Sequence, residues 1–139
     1  MTEPADPRIR ALAEELVAAR GAFQQALAEM DPALLLSPGL VGVWSARELV
    51  AHIGYWAGHA AEAIHLAEQG RLDEFEVDVP SVDERNAVVA RVAAETDMAT
   101  VQNREELAVE AFRKRILTVD PEWLDERDAD GDTLEEIIK

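Results

Sequence analysis

Ser45 and Glu48 stand three residues apart, directly before a run whose apolar side chains recur at helical spacing, and this pairing constrains the fold more than any other feature. The Ser45 hydroxyl can accept from the Glu48 amide while the Glu48 carboxylate reaches back to the Ser45 amide, the reciprocal arrangement of a capping box. A helix is therefore predicted to start at Ala46 and to run to Gln69, with Gly70 as its C-terminal stop. At about 100° per residue, Leu49, Ile53, Trp56, Ala60, Ala63 and Ala67 fall on one stripe. His52 and His59 border that stripe, and His65 projects from nearly the opposite side.

Similar punctuation recurs along the chain. Asp6 followed by Pro7 gives an N-cap and a favourable first helical position, and Ile9, Leu12, Leu16, Phe23, Leu27 and Met30 follow at helical spacing. That helix is expected to reach Met30, where Asp31-Pro32 ends it and a connection through Ser37-Pro38-Gly39 and Gly42 leads on to Ser45. Ser81 with Glu84 forms a second box after Pro80 and opens helical stretches over 82–95 and 98–118, divided at Thr96-Asp97. Between Arg71 and Pro80 acidic and apolar residues alternate, but a lone strand would have nothing to pair with, so this segment is read as a loop. Asp132 with Glu135 marks a last helix start, with Leu134, Ile137 and Ile138 on its apolar face. About two turns are too short to stand alone. This end either docks as a stub or is the start of a final helix cut short. The chain is thus expected to be all-α, one domain over residues 1–139.

Composition narrows the function. A chain of 139 residues can build a sizeable core without staples. It has no cysteine, which excludes disulfides, thiolate nucleophiles and cysteine metal sites and agrees with a cytoplasmic location. Met1 to Asp6 lacks the basic and apolar regions of a signal peptide, and no apolar run approaches the roughly 20 residues that span a bilayer. The 29 acidic and 13 basic residues give a net charge of −16, so phosphate backbones and anionic lipids should repel the chain. Neither nucleic acid nor membrane is expected as a partner. Gly-rich phosphate loops, serine nucleophile motifs and dinucleotide fingerprints are absent from the sequence.

What remains is a small-molecule chemistry centred on the second helix. His52 is either a hydrogen-bonded residue at the edge of a core or a metal ligand, since a neutral imidazole suits both. The same choice applies to His59. The two lie seven residues apart, about 10 Å along a helix axis, too far for easy shared ligation. A triad completed by Asp83 or Glu84 therefore ranks behind other arrangements. Trp56 and Tyr55 can line a pocket or pack. Asn86 can orient a substrate or water, or stay at the surface. Gly54 and Gly58 allow close helix packing or leave room beside His52.

The string Trp44-Ser45-Ala46-Arg47-Glu48-Leu49-Val50-Ala51-His52-Ile53, with Trp56 one turn on, resembles the second-helix signature of the DinB/YfiT-like superfamily. Ser81-Val82-Asp83-Glu84-Arg85-Asn86, the helix from Met98 and Asp120-Pro121-Glu122-Trp123-Leu124 are similar to its ClbS/DfsB-like branch. The resemblance implies an up-down-down-up four-helix bundle, often a homodimer, with the last helix short or truncated in this chain. It also implies a divalent metal, zinc or nickel, held by a second-helix histidine and a His-x-x-x-His pair on the last helix. His52 matches the first ligand, and the pair has no counterpart, so the ligand set is incomplete. The chemistry implied is a thiol transferase or isomerase reaction, or a hydrolytic opening of a strained electrophile, in a detoxification role. A metal-free bundle that binds a small molecule or self-associates is the alternative. The enzyme reading places His52 in the site as a metal ligand, with Trp56, His59 and Asn86 as candidates for its pocket.

Overall fold

The computed structural model describes residues 6–31 and 45–139. Expectations for Met1 to Ala5, for Trp44 and for the connection through Ser37, Pro38, Gly39 and Gly42 lie outside the described residues. Five α-helices and no strand occur among those described: α1 (Pro7–Ala28), α2 (Ala46–Glu68), α3 (Val82–Ala94), α4 (Met98–Thr118) and α5 (Leu134–Ile138). Short 3₁₀ turns occupy Leu72–Glu74 and Pro121–Asp125.

The helix starts follow side-chain chemistry. Asp6 accepts from the amides of Arg8 and Ile9, and Pro7 at the first helical position lacks only an N–H that would have no partner within the helix. The Ser45–Glu48 box is reciprocal, with the Ser45 amide donating to Glu48 Oε2 at 3.1 Å. Asp97 caps α4 through the Thr100 amide at 2.7 Å, which is why the long helical stretch breaks at Thr96-Asp97. The last start lies one residue later than expected. Thr133, not Asp132, is the N-cap of α5 and its partner is Glu136. Asp132 is drawn away because Asp128 Oδ1 accepts from its amide at 2.9 Å, inside a tight loop closed by an Arg127–Thr133 bridge.

Cross-helix contacts set the directions. Gly54 lies against Glu105 and Glu68 pairs with Arg115 at 3.4 Å, so α2 and α4 run parallel. Arg47 donates to the Thr96 carbonyl and Trp56 to Asn86, which runs α3 against α2. Arg20 pairs with Glu105, and Arg8 with Asp125 beyond the end of α4, so α1 opposes α4. The densest core sits where α1 begins and α2 and α4 end. There Ile64, Ile116, Leu124 and Leu134 are fully buried, joined by Ile9, Leu12 and Phe112. Toward the other end of α1 the packing thins: Leu16, Phe23, Leu27 and Met30 are only half-buried. A cleft opens along that thinner side.

Candidate functional site

His52, Trp56 and His59 fall at i, i+4 and i+7 on α2, a spacing that puts them on one helical face. That face lines a cleft of about 410 Å³, with Leu16, Arg20 and Phe23 of α1 and Phe112 of α4 opposite and Ile137, Ile138 and Lys139 beside them at the end of α5. Most of the lining is apolar. Arg20 brings little net charge, because its guanidinium is held bidentate by Glu105 at 2.7 and 3.3 Å, and Glu105 is buried.

The aromatic rings pack in a chain. The His52 and Trp56 centroids are 6.2 Å apart, Trp56 meets His59 edge-on at 5.0 Å, and Phe75 lies 4.5 Å beyond His59. Behind them stands a polar wall built by α3 and the segment before it. Asn86 Oδ1 accepts from Trp56 Nε1 at 2.8 Å, and the same amide acts on His52 to raise its pKa. Arg85 lies 5.0 Å from the Trp56 ring centre and donates to both Glu76 oxygens at 2.8 and 2.7 Å. Glu76 in turn pairs with His59 Nε2. Glu76 and Asp78 adopt left-handed backbone, φ 64° and 56°, a conformation that costs a non-glycine residue about 1 kcal/mol or more. The Arg85 ion pair of Glu76, its contact with His59 Nε2 and the burial of Phe75 hold that segment in place.

Burial dominates the titration of both histidines. It pushes His52 below the ordinary value, opposed by the Asn86 hydrogen bond. It pushes His59 down too, opposed chiefly by Glu76. The Arg85 hydrogen bonds hold Glu76 below the usual carboxylate range despite its partial burial. At neutral pH the cleft therefore presents two neutral imidazoles, His59 tied to a carboxylate and His52 backed by an amide.

The metal reading finds little to build on. Among the described residues no group of three or more histidine, aspartate or glutamate side chains could hold a metal ion. Asp83 and Glu84 are exposed in the first turn of α3, and the carboxylate that does meet a histidine, Glu76, is committed to Arg85. The arrangement does not fit the implied ligand set. Asn86 is not a bystander at the surface: it joins Trp56 to His52. Glu76 and Arg85 escape sequence reasoning because nothing local marks them; their roles arise only when the 71–80 segment folds back on α2. His65 is half-buried and outside the cleft lining. Gly54 serves close packing: an added Cβ would lie 3.0 Å from the Glu105 Cα, whereas at Gly58 it would meet nothing within 4 Å.

A family model described as the DinB superfamily matches residues 15–137. No curated protein and no solved structure matches the chain.

Proposed function

Because the chain belongs to the DinB superfamily, we propose that the cleft between α1, α2 and α4 receives a small organic molecule with a largely apolar body, and that His52 is the polar group that meets it. One observation supports this above the others. The wall of the roughly 410 Å³ cleft is mainly aromatic and aliphatic, and three of its polar side chains are bonded from behind, Trp56 to Asn86, His59 to Glu76 and Arg20 to Glu105, with Lys139 at its α5 edge. A cavity of that size with few convergent polar groups suits a small ligand. Within the superfamily we read the chain as a member of the ClbS/DfsB-like branch, on Ser81 to Asn86 and Asp120 to Leu124. We take α1, α2 and α4 as three main helices of an up-down-down-up bundle, with α5 along the fourth. The absence of cysteine supports a cytoplasmic site of action. No described helix is long and apolar enough to cross a membrane.

Thermal unfolding with 2-naphthol as probe tests the binding reading. The midpoint should rise with probe concentration and rise less in His52→Ala, since a ligand bound only to the folded state stabilises it by mass action. A midpoint indifferent to the probe would sink the reading.

The neutral His52 imidazole supports a second, catalytic reading: a hydrolase or thiol transferase acting on a small electrophile. His52 would take the proton from an attacking water or thiol and return it to the leaving oxygen. No step is assigned to a metal, because the described residues do not supply its ligands. Opening of styrene oxide by the wild type, lost in His52→Ala while 2-naphthol still binds, is the expected result. Equal turnover by both proteins would remove His52 from catalysis.

A further inference from the structure

Further along α3 from Asn86, Val88 and Val92 put apolar side chains in solvent beside the exposed Arg91. Val88 and Val92, one turn apart, are 47% and 49% exposed. With Tyr55 of α2 and Ala108 of α4 they border a second groove, of about 470 Å³, which shares no lining residue with the His52 cleft. Gly54 makes the groove possible, since its missing side chain lets α2 and α4 approach closely beneath it. Besides the Tyr55 hydroxyl, three polar side chains reach the lining. Thr96 is spent on the Val92 carbonyl at 2.7 Å, and Glu105 is held by Arg20 on the far side. Arg104 differs. Among the described residues it takes part in no ion pair or hydrogen bond, in a chain whose acids outnumber its bases by 29 to 13. The carboxylate that feels its charge, Asp97, is committed to capping α4 through Thr100.

We propose that this groove is a second binding site, for an anionic amphiphile: an aliphatic or aryl carboxylate whose tail lies on Val88, Val92 and Ala108 and whose head pairs with Arg104. Charge complementarity selects this class. An apolar trough edged by a guanidinium that no described carboxylate pairs matches an apolar tail carrying a carboxylate, and a cationic head would meet repulsion at Arg104. The overall negative charge does not forbid it, because at physiological salt charges beyond about 8 Å are largely screened.

Titrating the full chain with octanoate, and separately with 1-octanol, while following the Val88 and Val92 methyl signals by NMR tests the site. Arg104 and Val92 are both solvent-facing, so Arg104→Gln and Val92→Glu should fold. Octanoate should shift both valines and bind about fivefold more weakly to Arg104→Gln, the size of an exposed ion pair. Octanol should bind both proteins alike, and Val92→Glu should abolish both ligands. Methyl shifts confined to the His52 cleft, or octanoate affinity unchanged in Arg104→Gln, would overturn the proposal. So would a concentration-dependent dimer by light scattering that Val92→Glu dissolves, which would make the groove a contact between copies of the chain.

Discussion

Asn86 acts on two side chains of the site through one amide, accepting from Trp56 Nε1 at 2.8 Å and working to raise the His52 pKa. Asn86→Ala leaves the indole N–H without its acceptor, and a half-buried donor so stranded costs about 1–3 kcal/mol. The same change removes the interaction that raises the His52 pKa, so His52 should titrate lower still. Urea unfolding and an NMR pH titration of the His52 ring read the two effects separately; a stability loss with His52 unmoved would reduce Asn86 to a packing role. Gly54 and Gly58 make a sharper pair. Each costs its helix about 1 kcal/mol relative to alanine, and in sequence they look equivalent. Their surroundings separate them. Gly58→Ala should stabilise by about 0.5–1 kcal/mol because its Cβ enters open space. Gly54→Ala should destabilise by about 1–3 kcal/mol because the Cβ presses on the Glu105 backbone. Denaturant midpoints of opposite sign would bear this out, and two equal shifts would contradict the close approach of α2 and α4.

Helix boundaries were legible wherever a short polar side chain stood before an apolar run, since capping is local chemistry. The three expected boxes nevertheless have different outcomes. Ser45 forms the full reciprocal box and is 1% exposed. Ser81 accepts from the Glu84 amide at 3.1 Å in full solvent. The third box shifts to Thr133 because Asp128 engages the Asp132 amide. Ser45→Ala should therefore cost about 1–2 kcal/mol, at the upper end of capping effects, and Ser81→Ala less, as read by chemical denaturation. Similar losses at both sites would mean that burial of Ser45 adds nothing. The segment over 71–80 shows what local patterning misses. Its acidic and apolar alternation reads as a loop, and apart from the Leu72–Glu74 turn it is one, but the pattern does not reveal that Phe75 is buried or that Glu76 bridges His59 and Arg85. Burial holds folded His59 and His52 below the ordinary imidazole value of 6.5. Just under pH 6.5 the unfolded chain accordingly binds more protons than the folded one. Stability should be full above that pH and fall as acidification carries the protein toward the lowered folded values. Thermal midpoints across pH 7 to 5 should show this decline, with a smaller one in His59→Gln; equal declines would acquit His59.

Across the whole molecule α2 is the element on which α3, α4 and α5 pack, and it is also the one most clearly marked in the sequence. The all-helical class and the second helix with its histidines followed from periodicity and caps. The cleft did not, because it depends on how α1, α2, α4 and the end of α5 come together, and no residue spacing encodes that meeting. Ile64, Ile116, Leu124 and Leu134 close one end tightly, while Phe23, Leu27 and Met30 at the other remain half-covered. His52 stands on the open side, neutral and backed by Asn86, facing an apolar space. Ring-resolved NMR during a 2-naphthol titration of the full chain tests that account most directly. Saturable shifts at His52, Trp56 and Phe112, with the Val88 and Val92 methyls unmoved, are the predicted result. Unperturbed His52 and Trp56 rings, or weak unsaturable shifts scattered over the surface, would contradict it.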